Sequence, residues 1–454
     1  MFFGSDQQGV GRSLAGTCYI RAHHEEKSEQ DVVAGGMRGP RRASLLRSAS
    51  MSQALRVIVV GGGPVGLVTA LAMAKKGLQV TVLEMEACYD DRPRAASTHA
   101  STLEMLAGLG LIDEVLRQGL VSPRFQHWDR VSGEMVAEFD YARLKDDTPY
   151  PYVVQCESHK LVAIAEARLL AQPGAQVLRL HTVTGLRQVG DCVEVMCDTP
   201  GGSARFSADF VLGTDGARSI VRGAIGADFS GYTFDERFIG MTTRFDFEKH
   251  YGYSNRNYFA DPERWCAVFK VAGNDLKGLW RVISPATTAE PDEVLLSEDS
   301  LQQRLQRFFP RAEPYAIEYR GAYRFHQRVA ESFRVGRVFL AGDAAHINNP
   351  AGGLGLNSGI HDGLELAEIL EHSMLHGVDE TMLERYQRRR RSLNIEFVQQ
   401  DTLTNKRRME ESDPQVRRRN HDELRRISND PVACHQFLLR ASLIESTRKA
   451  RLIA

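Results

Sequence analysis

No stretch of this chain is apolar for long enough to cross a bilayer. The longest mostly apolar run, Val65 to Ala74, falls well short of the roughly 20 residues that a spanning helix needs. Charge of one sign is also missing. The 57 Lys and Arg face 58 Asp and Glu, a net charge of −1, so the molecule as a whole shows no preference for nucleic acid or an anionic surface. Cysteine is sparse: seven residues, an odd number and widely scattered, which points to reduced thiols and a cytoplasmic protein rather than a disulfide framework. Cys192 and Cys197 have the spacing of a redox dithiol, but they flank "VEVM", which alternates as a strand does. Residues five apart on a strand face opposite ways, so these thiols are not expected to meet. No spacing suggests a metal site, and no metal is expected.

What is present is ordinary for a globular protein: 454 residues, 43% hydrophobic and 25% charged, enough for two or three domains around a sizeable core. Residues 1–53 differ in kind. They mix "HHEEKSEQD" with "RGPRRASLLRSAS", show no periodicity and contain no apolar signal-peptide core. Their acids argue against a mitochondrial presequence. A disordered extension is expected there.

From Arg56 the pattern sharpens. "RVIVV" is a β-branched run suited to a buried parallel strand. It leads into "GGGPVG", in which Gly61, Gly63 and Gly66 fit the spacing GxGxxG. The first glycine permits a tight turn, the second lets a pyrophosphate approach the backbone, and the third lets helix and strand pack closely. Pro64 and Val65 open a helix whose N-terminal dipole would face the phosphates. The following strand, "QVTVLE", ends on Glu84, about twenty residues past the glycines, where an acid accepts hydrogen bonds from a ribose. Strand, glycines, helix, second strand and terminal acid in this order predict a dinucleotide site.

A second glycine-rich stretch, "GDAAHINNPAGGLGLNSG" from Gly342 to Gly359, follows the apolar run "RVFLA" and precedes the helical "IHDGLELAEIL". Asp343 could bond ribityl hydroxyls, and the helix beginning near Leu356 could offer backbone N–H groups to the pyrimidine edge of a reduced flavin. His346 within this stretch reads as a packing residue rather than a base.

Together "GGGPVG…E", "GTDGARSIVR" and "GDAAHINNPAGGLGLNSG" resemble the three motifs of the FAD-dependent aromatic hydroxylases, the p-hydroxybenzoate hydroxylase-like monooxygenases. Order and spacing agree over about 54 to 375. The resemblance implies an α/β fold: a Rossmann-like FAD-binding domain, an antiparallel β-sheet substrate domain and C-terminal helices. It implies non-covalent FAD, held by Gly61, Gly63, Pro64, Val65, Gly66, Glu84, Arg94, Gln155, Asp215, Gly216, Asp343, Gly355, Leu356 and Asn357. Pro350 matches a proline that faces flavin and substrate. Arg218 and Arg222 follow the DG pair as candidate nucleotide contacts. NADH or NADPH would dock transiently as reductant, since only one GxGxxG is present. A flavin hydroperoxide formed with dioxygen would then hydroxylate a small aromatic substrate, phenolic or an aromatic acid. A homodimer is compatible with this reading.

Missing pieces narrow it further. A second nucleotide-binding unit with a dithiol, as in flavin disulfide reductases, is absent. The three tryptophans, Trp128, Trp265 and Trp280, are isolated, so the WxWxIP motif of flavin halogenases is absent too. The rivals left are an epoxidase or quinone-pathway hydroxylase of the same fold acting on a non-aromatic or polyprenyl substrate, and a non-catalytic FAD-fold binder.

The expected organisation is an FAD-binding domain in two parts, 54–230 and 325–375, separated by the sheet domain 231–324 and followed by a helical region 376–454. Within the sheet, Arg244, Tyr253, Tyr258 and Arg281 are candidates to grip a phenolate or carboxylate. The arginine run around "RYQRRRR" is interleaved with apolar residues and reads as a solvated helix face.

Overall fold

In a computed structural model of the chain, residues 54–92, 95–286 and 290–454 are described. The extension expected over 1–53 and the candidate Arg94 lie outside them. The first strand, Arg56–Val60, is buried from Val57 onward, as its β-branched run requires. It sits in a six-stranded sheet, between Phe210–Gly213 and Gln79–Glu84. Ala175–Arg179 and Val338–Leu340 pair in parallel outside these, and Arg334–Val335 adds an antiparallel edge. The helix Pro64–Lys75 is buried along all of Gly66 to Ala74. It packs against two further helices, Ser158–Leu170 and Gly355–His376, which explains an apolar character that runs right round it.

Small residues set how closely these helices approach. A Cβ on Gly363 would fall 1.7 Å from Thr69 Oγ1, and one on Gly359 would fall 2.7 Å from Val65 Cγ2. The two helix N-termini are thereby brought together beside Gly342, whose own Cβ position is 3.1 Å from Val65.

The second large layer is an eight-stranded sheet. Its long strands Phe229–Thr243 and Ile317–Ala330 pair antiparallel, followed by Leu279–Ala286, Cys266–Val271 and Arg256–Ala260. Two outer strands, Arg124–Asp129 and Met135–Asp140, come from the stretch the sequence reading grouped with the nucleotide-binding part. One of them pairs in parallel with Arg256–Ala260, so the sheet is mixed at that edge. Hydrophobic spacing marks a strand but does not name its partner, and this is why that membership was missed.

One face of the sheet packs Ile239, Phe259, Val268, Trp280 and Val282 against the helix Glu298–Phe308. The other carries Phe125, Phe139, Phe238, Tyr258 and Ala267, together with Ala351 of the glycine-rich loop. The chain ends in helices Glu380–Leu393, Gln400–Glu410, Pro414–Asn429, Pro431–Ala441 and Ile444–Ala450, with a π-helical turn at Asn394–Gln399. Among the described residues no helix is long and apolar enough to cross a membrane. Cys192 and Cys197 are both free thiols.

Candidate functional site

The nucleotide end is built by three local devices. Gly61 has φ +103°, and a Cβ there would lie 2.6 Å from the carbonyl oxygen of Thr214. Gly66 is tighter still, its Cβ position 2.1 Å from Gly61 O. Gly63 differs, because a Cβ there would meet nothing within 4 Å. It caps the helix Pro64–Lys75 without any side-chain hydrogen bond, so the first-turn N–H groups face an open cradle. Glu84 closes the turn: its Oε2 accepts from Gly62 N at 2.6 Å and its Oε1 from Glu86 N at 2.8 Å. Each oxygen keeps a further lone pair for a hydroxyl donor.

The DG pair is engaged from within. Asp215 accepts from Ser219 Oγ at 2.6 Å and from Val221 N at 3.1 Å, and Gly216 provides the left-handed turn, φ +77°. Arg222 donates to Ala344 O at 2.9 Å and Ala217 O at 2.8 Å, and its guanidinium lies 3.8 Å from the Phe229 ring centre. It ties the DG segment to the turn Gly342–Ala344. Arg218 is exposed, and so is Asp343.

Behind that turn lies a buried network that sequence reading did not find. Asp362, fully buried, lies 2.8 Å from His346 Nε2, accepts from Arg390 Nε at 2.7 Å and accepts from Gly342 N at 3.2 Å. Burial pushes the Asp362 carboxyl up, but Arg390 and then His346 more than offset this and hold it below the ordinary range. The reading of the arginine run as a solvated face is therefore corrected. Arg390 is buried on Asp362, Arg389 pairs with Glu365, and Arg391 donates to Ala330 O. The run buttresses the cradle because its helix packs on Gly355–His376.

Asn357 opens that helix, and its side chain is fully used inside the protein. Its Oδ1 accepts from His99 N at 2.8 Å, and its Nδ2 donates to Ser97 O at 2.9 Å and Gly353 O at 2.7 Å. The helix begins at Gly355 with no side-chain cap, so backbone N–H groups of Gly355, Leu356 and Asn357 are what a ligand could meet. Gln155 stands beside the loop. Its Oε1 accepts from Ser97 Oγ at 3.0 Å while its buried Nε2 has no partner. His99 rests on Gly352 O at 2.9 Å, with its buried Nδ1 unpartnered. An orphaned amide donor, two uncapped helix N-termini and an open position at Gly63 fit a dinucleotide that carries hydrogen-bond acceptors along its length.

Pro350 is fixed from behind. Asn349 donates to Gln327 Oε1 through its backbone nitrogen at 3.1 Å, and Gln327 donates to Gln399 Oε1 at 2.7 Å. Gln399 closes the π-helical turn, a distortion often found at functional sites. In front of it, Pro350 and Ala351 form one wall of a small apolar cavity. Tyr258, Trp265, Ala267, Phe269, Ile283 and Met409 form the rest. The sheet thus presents its cavity face to the glycine-rich loop.

These positions decide among the sheet candidates. Tyr258 lines the cavity. Arg281 pairs across strands with Phe269 and Thr242, on the cavity-facing side. Arg244 is turned to the surface, where Glu318, Asp275 and Gly278 O hold it. Tyr253 packs with Trp128, Tyr251 and Phe259 on the opposite face. Both missed the cavity because residue type does not reveal which face of a strand is turned where.

The FAD binding domain family matches residues 54–401. The chain belongs to that family. It is 36% identical over 390 residues to the para-nitrophenol 4-monooxygenase of Pseudomonas sp. strain WBC-3, covering 84% of this chain and 94% of that protein. It is 34% identical over 349 residues to the 6-hydroxy-3-succinoylpyridine 3-monooxygenase of Pseudomonas putida, covering 77% and 87%. The crystal structure of a p-nitrophenol 4-monooxygenase from Pseudomonas putida superposes with a TM-score of 0.80 at 36% identity, covering 86% of this chain and 99% of the other. The fold expected from the three motifs is the fold observed. This member of the FAD-binding family is an FAD-dependent monooxygenase.

Proposed function

We propose that the protein hydroxylates a small phenolic ring, using NADH or NADPH and dioxygen, in the cytoplasm. The observation that carries this reading is the apolar cavity between Pro350 and the sheet, walled by Tyr258, Phe269 and Ile283. Its aromatic and aliphatic side chains are of the kind that pack against a ring through edge and face contacts. The likeness to a monooxygenase acting on para-nitrophenol supports the same class.

The cofactor, when bound, supplies the redox chemistry and the activation of dioxygen. The protein's share is to hold it and to keep the reacting space dry. Gly61, Gly63, Pro64, Val65, Gly66 and Glu84 would seat the ADP half. Asp215, Gly216 and Asp343 would reach the middle of the molecule. Gln155 and the backbone of Gly355, Leu356 and Asn357 would take the ring, with the positive end of a 22-residue helix favouring its anionic reduced form. Pro350 would stand between ring and substrate. The apolar lining would exclude water from the reacting atoms.

The test is NAD(P)H consumption by the FAD-loaded protein against a panel of small phenols and aromatic acids. Strong stimulation by a phenol, with hydroxylated product, is expected. Consumption that no aromatic compound alters would contradict the reading.

A further inference from the structure

The apolar cavity at Pro350 has a neighbour. Met409 lines that cavity and also a second one, which has His127, Ala260, His421 and Leu424 among its other walls. The two lie side by side on one face of the sheet. His127 stacks on Tyr258 of the first cavity with ring centres 5.2 Å apart, and Ala260 stands two positions beyond Tyr258 on the same strand. The helix Pro414–Asn429 packs over the strand Met135–Asp140 and buries only His421 and Leu424. Met409 stands between the cavities. Its carbonyl is fixed by Asp261 N at 2.9 Å, whereas its side chain is unbranched and adapts its shape readily. It is the part of the wall that can move.

The second cavity holds a polar atom with no task inside the protein. His421 is 7% exposed, and its buried Nε2 has no hydrogen-bond partner. An unpaired buried nitrogen is costly, and an apolar side chain would fill the same place on the helix without that cost. Charge is not what the cavity offers. Burial, over the opposing pull of Asp129, lowers the proton affinity of His421. Burial, then Arg408 and then His421, pushes His127 down to about 3. The ions nearby are paired with one another, Arg408 with Glu423 and Arg417 with Asp129. Neutral imidazoles in an apolar frame suit an uncharged hydroxyl, which can serve either tautomer as donor or acceptor. A carboxylate would lose its hydration there without gaining a counter-charge.

We propose that the two cavities form one substrate site, in which the ring lies against Pro350 and a short uncharged side arm of the ring passes Met409 to hydrogen-bond His421 Nε2. The substrate is then a ring with an arm that ends in a hydroxyl or another neutral hydrogen-bonding group. That the ring is a phenol awaiting hydroxylation rests on the hydroxylase reading, whereas the pocket for the arm rests on His421 and Met409. These two are specificity-determining residues.

The experiment titrates FAD-loaded protein with 3- and 4-(2-hydroxyethyl)phenol and with the apolar analogues of equal length, 3- and 4-propylphenol. Binding is read by equilibrium dialysis and by quenching of flavin fluorescence. In one of the two positional series the wild type should bind the hydroxyethyl compound about threefold or more tighter than the propyl one, because the propyl arm leaves the imidazole nitrogen unpaired. The matching hydroxyphenylacetate should bind about tenfold or more weakly than the hydroxyethyl compound. His421→Leu should reverse the order, so that propyl becomes the better arm. Met409→Phe should weaken both arms about tenfold relative to unsubstituted phenol, since a rigid ring cannot fold aside. Propyl arms that bind as tightly as hydroxyethyl arms in both wild-type series, a preference that survives His421→Leu, or equal weakening of phenol and the longer compounds in Met409→Phe overturns the proposal. If the variants do not retain FAD, the wild-type comparison alone decides. Selection of the hydroxyethyl arm without phenol-stimulated NAD(P)H oxidation would leave the pocket standing and remove the hydroxylase reading instead.

Discussion

The side-chain oxygen of Asn357 lies 2.8 Å from the backbone nitrogen of His99, joining two segments 258 positions apart at the edge of the glycine-rich loop. The same amide holds Ser97 O and Gly353 O, so one residue sets the shape of the loop on both sides. Asn357→Ala would leave a buried N–H and two carbonyls without partners, a loss of about 1–3 kcal/mol. The expected result is a lower urea midpoint and weaker FAD retention. A variant with wild-type stability and flavin content would show that the clamp is dispensable.

The ion pair between Asp362 and Arg390 stands behind the Gly342 turn, and breaking one partner leaves the other buried and charged. Asp362→Asn should cost about 3–5 kcal/mol, seen as a lower thermal midpoint, and should loosen the turn that carries Asp343. A change of under about 1 kcal/mol, as surface pairs give, would mean the network is less dry than its burial implies.

His99 and His361 make stability depend on pH. Burial, then the field of Arg256 or Arg390, pushes each imidazole from the ordinary 6.5 down to about 3. In the unfolded chain both take up a proton as pH falls through 6.5, while in the folded chain they stay neutral until about 3. The unfolded state binds more protons across this window, so stability is lost as pH falls within it, by up to about 1.4 kcal/mol per unit for each histidine. The urea midpoint should drop between about pH 7 and about pH 5, and His361→Gln should flatten the slope. A midpoint that stays level in the wild type would contradict this.

Asp343 is exposed on the turn beside the two helix N-termini, where its carboxylate would accept from hydroxyls of the cofactor. Asp343→Ala should raise the FAD dissociation constant about tenfold or more through a lost charge-assisted hydrogen bond. Full flavin retention would show that the residue is misassigned.

The strand–turn–helix–strand unit and the glycine-rich loop were legible because their signals are local. Gly61, Gly63, Gly66 and Glu84 lie in one strand–turn–helix–strand unit, and the segment from Asp343 to Asn357 is continuous. What escaped notice joins distant residues. Asp362 and His346 are 16 positions apart and Arg390 is 28 further on, and a run of arginines looks like surface until its packing is seen. Gly359 and Gly363 have the spacing of a close helix contact, yet only the position of Val65 and Thr69 shows what they approach.

On this reading the protein directs one atom of dioxygen into an aromatic ring held between Pro350 and the sheet. The direct measurement supplies isotopically labelled dioxygen to FAD-loaded protein with NAD(P)H and p-nitrophenol, and follows the label by mass spectrometry. The account predicts one labelled oxygen atom in the aromatic product for each hydroxylation, little hydrogen peroxide, and slow NAD(P)H consumption when the phenol is omitted. Label recovered only as hydrogen peroxide, at a rate no phenol in the panel changes, would contradict it.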